Sequence, residues 1–368
     1  MSTTTVDLLP CAEPVRFLDE QGALTTPSAE AEARGYALPS EEDLLAVWRQ
    51  MVIGRRFDAQ ATALTKQGRL AVYPSSRGQD ACQVAPVWAL QEQDWFFPTY
   101  RDSMALISRG LDPMEVLTLL RGSWHCGYDP VKTHTAPQCT PLATQAVHAA
   151  GAGHGLARRG SDGVALCFIG DGATSEGDFH EGLNFAAVFN TPTVFLVQNN
   201  KYAISVPLEK QSKAPSLAYK GIGYGVRSEQ VDGNDAAAVL AVTRRAYEHA
   251  SSGEGPFLIE AHTYRLEAHT NADDATRYRQ AEEVTQWSGR DPIERLRAYL
   301  TGTGALTSEI EEQVAAEAED FAAGVRERMN LEPEVAPLSL FEHVYAQQTP
   351  QLREQADMVR AEMEEVSA

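Results

Sequence analysis

Residues 164–205, VALCFIGDGATSEGDFHEGLNFAAVFNTPTVFLVQNNKYAIS, decide the fold. Two apolar runs, 164–169 and 193–197, are short, β-branched or aliphatic, and without polar alternation. That is the pattern of strands buried on both faces of a parallel sheet. Between them, Phe179, Leu183, Ala186 and Ala187 recur at helical spacing, and Pro192 marks the end of that helix. Strand, helix and strand in this order close as a right-handed crossover. The two polar breaks, Gly170-Asp171-Gly172 and Asn199-Asn200, then fall together at the carboxyl edge of one sheet, where open α/β folds bind ligands.

A carboxylate and a carboxamide offered from neighbouring strand ends suit a small hard cation that takes its remaining oxygens from a phosphorylated ligand. Magnesium fits, with about six oxygens and only a few of them from protein. Asp171 and Asn200 are the expected ligands, and the Tyr202 carbonyl in the irregular loop before Ile204 is a third. Gly170 and Gly172 are expected to let the backbone approach the phosphates. Taken singly, Asp-Gly and Asn-Asn are ordinary turn formers; their pairing one crossover apart is what argues for a site. This GDG…NN arrangement, read as GDGATSEGDFHEGLNFAAVF…VQNNKYAIS, resembles the thiamine diphosphate motif. It is similar in particular to the α subunit of the heterotetrameric first component of 2-oxo acid dehydrogenases, the pyruvate and branched-chain enzymes, from about Val15 to near the C terminus. The resemblance implies magnesium at Asp171, Asn200 and the Tyr202 carbonyl, with Gly172 and Ala173 along the diphosphate.

The 368 residues are 43% hydrophobic and 22% charged, an ordinary globular balance sufficient for one large α/β domain with added helices. A formal charge of −20 argues against non-specific nucleic-acid or anionic-membrane binding, which requires a basic surface. The five cysteines show no CxxC or zinc spacing and read as reduced thiols of a cytoplasmic protein. No run is apolar enough to span a bilayer, and the N-terminal residues have no targeting pattern.

In chain order, 1–38 read as an arm with one short hairpin, 39–300 as the cofactor-binding α/β domain, and 301–368 as a helical C-terminal extension with a solvated acidic face. Ser40 caps a long helix whose stripe, Leu44, Val47, Trp48, Met51 and Val52, is expected to bury against the sheet, with Arg55 and Arg56 at the surface. DWFFPTYRD reads as a loop. Its Tyr100 and Arg101 precede a helix, a geometry in which hydroxyl and guanidinium together meet phosphate, although a lone arginine is more often a surface ion pair. The resemblance makes this pair a diphosphate contact. His125, Cys126, His134 and Cys139 fit no zinc spacing. Gly151, Gly153 and Gly155 imitate part of a dinucleotide fingerprint but lack the preceding strand, so close helix packing is the reading. By resemblance, Thr140 and Leu142 approach the cofactor rings.

Two more strands are expected within 221–233 and 256–264. Beyond the second, a histidine in a polar loop is usually inert, but by resemblance His269 faces the reacting end of the cofactor while Arg265, Asp274, Tyr278 and Arg279 order its loop. Thr270 stands where animal relatives carry a phosphorylated serine, and Gln198 where animal branched-chain relatives carry an arginine. No second α/β unit is left to hold the pyrimidine half of such a cofactor. The expectation is therefore an enzyme active only with a β subunit in an α2β2 tetramer, with thiamine diphosphate and Mg2+ at the subunit interface. Its reaction would be oxidative decarboxylation of a branched-chain 2-oxo acid, with acyl transfer to the lipoyl-lysine of an acyltransferase component. The alternatives are a pyruvate dehydrogenase α subunit and a non-catalytic assembly or binding subunit retaining the fold. A nicotinamide-dependent dehydrogenase would need a glycine loop after a strand, which is missing.

Overall fold

The computed structural model describes residues 8–331, 336–342 and 344–367. At its centre lies a parallel sheet of five strands, β1 (Trp95–Phe97), β2 (Ala165–Gly170), β3 (Thr193–Asn199), β4 (Arg227–Asp232) and β5 (Phe257–His262), in spatial order β1-β2-β3-β5-β4. Among the helices that frame it or its neighbours are α1 (Glu41–Lys66), α2 (Asp80–Trp88), α3 (Thr144–Arg158), α4 (Gly177–Val188), α5 (Ala236–His249) and α6 (Ser308–Arg328). The predicted crossover is β2-α4-β3. Its register pairs Ile169 with Val197 and Gly170 with Gln198, and Gln198 in turn with Ala261 of β5, so the strands end level and their polar continuations share one edge.

β3 is buried along its whole length and β2 at all but its last residue, as their unbroken apolar runs require. Phe179, Leu183 and Ala186 of α4 pack with Ala146, Ala149 and Ala150 of α3 and with Cys167, Phe195 and Val197 of the sheet. Several expectations need correction. WFF is the edge strand β1, not loop; three residues beside Pro98 are too few to show a periodicity. The buried side of α1 meets other helices, chiefly α6, with Phe57 against Phe321, while the solvent-exposed Arg49–Glu317 and Arg56–Glu319 pairs join the same two helices. Arg55 is not a free surface residue: it pairs with buried Asp80 at 2.6 Å and with Asp291 at 2.9 Å. Of the three glycines in α3, Gly153 alone is tightly packed, since a Cβ there would lie 2.4 Å from Thr193 Oγ1, while Gly151 and Gly155 face open space.

The N-terminal arm lies along the edge of β4, with Val15 donating to the Gln230 carbonyl and accepting from Asp232 N–H. A short hairpin follows, bridged at Leu18 and Leu24. One compact unit runs to Arg328; the second, 329–368, contains a 3-10 turn at Pro337–Phe341 and the helix Pro350–Ser367. Among the described residues, no helix is long and apolar enough to cross a membrane.

Candidate active site

A cleft opens at the carboxyl edge, above β2 and β3. Its wall includes Asp171, Gly172 and Ala173 from the end of β2, and Asn200, Tyr202, Ala203 and Ile204 from the end of β3. Tyr100, Arg101, Leu142 and His269, from other parts of the chain, line it as well. Thr140 is exposed and does not line the cleft.

Asp171 is only 1% exposed, and its Oδ2 accepts a hydrogen bond from Gln211 Nε2 at 3.0 Å. Burial pushes its carboxyl above the usual range; the Gln211 amide and the Lys201 ammonium pull it partly back. Asn200 donates through Nδ2 to Gln79 Oε1 at 3.0 Å, and its Oδ1 accepts from the Tyr202 peptide N–H at 3.3 Å. Past Asn200 the chain takes left-handed backbone at Lys201 (φ 76°) and Ile204 (φ 55°), which turns the Tyr202 and Ile204 carbonyls onto the Arg265 guanidinium. Gly172 has a reason other than phosphate: a Cβ there would stand 2.6 Å from the Ala203 Cβ, so the glycine admits the 202–205 loop. A Cβ at Gly170 would meet nothing within 4 Å.

This donor set fits a hard cation. A buried carboxylate whose burial outweighs its hydrogen bonds and the Lys201 charge favours a further positive charge beside it. The Asn200 oxygen and the Tyr202 carbonyl each keep a lone pair beyond the bonds just described, and Gln211 Oε1, on the amide that meets Asp171, is buried without a partner among the described residues. All are oxygens of the kind magnesium takes.

Elsewhere on the cleft wall, Arg101 is 5% exposed and spends Nη1 on the Ser75 carbonyl at 3.0 Å and Nη2 on His269, at Nδ1 (3.0 Å) and at the carbonyl (2.9 Å). The structure thus brings Arg101 to the cleft but commits two of its nitrogens to protein. A guanidinium can only donate, so His269 Nδ1 accepts and the imidazole proton sits on Nε2. Desolvation, then the Arg101 and Arg265 charges, lower the His269 pKa to about 4, against the pull of Asp273. At neutral pH the ring is an uncharged Nε2–H donor.

The loop carrying His269 is held by Arg265, which donates to the Tyr278 hydroxyl at 2.9 Å, and by Arg279, which donates to the Arg265 and Leu266 carbonyls. The carboxylate that grips the histidine backbone is Asp273, accepting from His269 N–H at 2.8 Å and from the Tyr278 hydroxyl, whereas Asp274 caps the next turn. Sequence reading missed Asp273, and also Gln79, Gln145 and Glu176 of the cleft wall. Glutamine at a helix start has no spacing signature, and the adjacent Asp273-Asp274 pair cannot be told apart until the turn is built.

Residues 48–332 match the family model described as dehydrogenase E1 component. The chain is 45% identical over 351 residues to the 3-methyl-2-oxobutanoate dehydrogenase subunit alpha of Mycobacterium tuberculosis (strain H37Rv), covering 95% of this chain and 94% of the relative. It is 37% identical over 350 residues to the pyruvate dehydrogenase E1 component subunit alpha of Staphylococcus aureus (strain COL), with 95% and 93% covered. The pyruvate dehydrogenase E1 component subunit alpha of Bacillus cereus is 38% identical over 350 residues, with 95% and 92% covered.

Proposed function

The chain belongs to the dehydrogenase E1 component family as a 2-oxo acid dehydrogenase α subunit, and from that premise we propose that it acts on branched-chain 2-oxo acids with thiamine diphosphate and magnesium. The net reaction is oxidative decarboxylation, with the acyl group passing to lipoyl-lysine of an acyltransferase component. The observation that carries the reading is the convergence of a buried, under-partnered Asp171 carboxylate, the Asn200 and Tyr202 oxygens and a neutral His269 donor on one cleft.

Asp171, Asn200 Oδ1 and the Tyr202 carbonyl would hold the metal, with Gly172 and Ala173 beside the diphosphate and Leu142 toward the rings. Tyr100 and Arg101 line the same cleft for the phosphates, Arg101 through its capacity beyond Ser75 and His269. When bound, thiamine diphosphate supplies the nucleophilic carbon and the electron sink that decarboxylation needs. His269 Nε2–H donates to the substrate's oxo oxygen as negative charge develops there. Arg101 contributes by fixing that tautomer, and Asp273 by fixing the loop backbone.

One five-stranded sheet and one two-residue ladder are what the described residues form, so a β subunit in an α2β2 tetramer is the proposed source of the second half of the site. A cytoplasmic setting suits the five free cysteines. The branched-chain preference rests on 45% identity to the mycobacterial relative against 37–38% to the pyruvate enzymes. The test is decarboxylation by the chain co-expressed with a β-subunit candidate, with thiamine diphosphate and Mg2+, comparing 3-methyl-2-oxobutanoate with pyruvate. Preference for the branched acid is expected. Preference for pyruvate would overturn the substrate but keep the chemistry, and failure to bind the cofactor would favour a non-catalytic subunit.

A further inference from the structure

Behind the metal side of the cleft lies a line of buried amides that ends on a carboxylate. Asp102 is 0% exposed; its Oδ2 accepts from Thr99 N–H at 2.6 Å, and its Oδ1 accepts from Gln198 Nε2 at 2.7 Å. Gln198, 2% exposed at the end of β3, accepts at Oε1 from Gln79 Nε2 at 2.7 Å. Gln79, also 2% exposed, accepts at Oε1 from Asn200 Nδ2 at 3.0 Å. Gln83 of α2, 0% exposed, reinforces the line, its Nε2 reaching Asp102 Oδ1 at 3.0 Å and Gln198 Oε1 at 3.3 Å.

A primary amide has a donor end and an acceptor end, and it can flip; a carboxylate only accepts. The direction of this line is therefore set at one terminus. Because Asp102 accepts, Gln198 must present nitrogen to it and oxygen to Gln79. Gln79 must then present nitrogen to Gln198 and oxygen to Asn200. Asn200 must present nitrogen to Gln79, which leaves its oxygen for the cleft. Without that constraint, only the 3.3 Å bond from the Tyr202 N–H keeps the Asn200 oxygen from giving way to its NH2 group, which repels a cation.

We propose that Asp102 is a positioning residue for the metal site, acting through Gln198 and Gln79 to hold the Asn200 side chain with Oδ1 toward the cation. The inference rests on the metal reading of Asp171 and Asn200. It assigns a purpose to Gln198 that the resemblance alone does not: in place of a charged contact to the diphosphate, this chain carries the middle link of a polarity relay. The relay also reaches Arg101, because the other Asp102 oxygen anchors Thr99, whose hydroxyl receives the Arg101 N–H at 3.1 Å.

Asp102→Asn keeps the size and the Thr99 anchor but lets every amide in the line reverse. Gln79→Met cuts the last link. Gln79→Glu replaces the last amide by an acceptor-only group, which still demands the Asn200 nitrogen. The measurement is Mn2+ affinity by electron paramagnetic resonance, on the chain assembled with its β subunit in the presence of thiamine diphosphate, alongside the unfolding midpoint of each variant.

Asp102→Asn and Gln79→Met are each expected to weaken Mn2+ binding about 10–100-fold, the range found for partners that orient metal ligands. In the Asp102→Asn background the reversed Gln198 can donate to Glu at 79, so adding Gln79→Glu there is expected to recover Mn2+ affinity; in the wild-type background the Gln198 oxygen would face that carboxylate, and no gain is expected. Unchanged affinity in both weakening variants overturns the relay and leaves the metal site standing. An equal gain from Gln79→Glu in both backgrounds also overturns it, since that is bulk charge and not polarity. If Asp102→Asn fails to assemble, the Gln79 pair decides. If wild type binds no Mn2+, the metal reading itself falls, and the relay with it.

Discussion

Asp171 is a single side chain whose surroundings favour a cation. A carboxylate buried to 1% exposure, whose hydrogen bonds and Lys201 neighbour only partly offset its burial, is raised toward its neutral form, an arrangement that a cation sharing the space relieves. Asp171→Asn should therefore separate binding from folding. Metal-dependent cofactor affinity in calorimetry should fall at least about 100-fold, while the unfolding midpoint of the metal-free chain holds or rises, because the Gln211 bond survives and the buried charge is gone. Unchanged affinity would refute the metal assignment. Asp171 and Asn200 were legible because each directly follows an apolar strand. The Asp102, Gln198, Gln79 line was not: its linked members are 96 and 119 residues apart, and their partners are set by packing alone. Asp102 is pushed up to about 6 by burial against the donors around it, so it remains largely ionised and acceptor-only at neutral pH.

Among the elements, the contact between α3 and α4 sets how firmly the β2-α4-β3 crossover is seated. A Cβ at Gly182 would stand 2.9 Å from the Ala146 carbonyl carbon and 3.0 Å from its Cβ, so the two helices touch nearly backbone to backbone. Gly182→Val should force them apart, costing about 1–3 kcal/mol by overpacking, read as a lower unfolding midpoint. A midpoint equal to that of wild type would show that α4 can slide without loss. The stripe Phe179, Leu183 and Ala186 foretold which side of α4 is buried, but not that its neighbour would be an alanine-rich helix. For α1 the same kind of stripe misled. Apolar periodicity reports that a face is covered, and neither a sheet nor α6 leaves a different mark on it.

At the scale of the whole molecule, Glu229 joins Cys11, Arg34 and Tyr36 to an edge strand more than 190 residues away. From β4, at 0% exposure, it accepts from Cys11 N–H at 2.7 Å, Arg34 Nη1 at 3.0 Å and the Tyr36 hydroxyl at 2.9 Å, while Val15 extends the sheet alongside. The arm covers an edge that would otherwise expose unpaired backbone. Glu229→Ala strands Arg34 together with the Cys11 N–H and the Tyr36 hydroxyl; breaking a buried ion pair of this kind costs about 3–5 kcal/mol. The expected signs are a lower unfolding midpoint and early proteolytic cleavage before residue 38. An arm that stays protease-resistant would show that Val15 pairing alone suffices.

The parallel α/β crossover, the place of Asp171 and Asn200 at its carboxyl edge, and the family resemblance that singled out Tyr100, Arg101 and His269 are all legible in the order of residues alone. Those follow from local patterns: apolar runs have a length, strands end where glycine and asparagine interrupt them, and motifs have a spacing. Only the tertiary structure decided that Arg101 spends its nitrogens on Ser75 and His269, that the histidine is a neutral Nε2–H donor, that Asp273 holds the His269 backbone while Asp274 caps the next turn, and that Gly172 makes room for Ala203. Hydrogen-bond direction and close approach depend on which distant residues are brought within about 3 Å, and that proximity has no period along the chain.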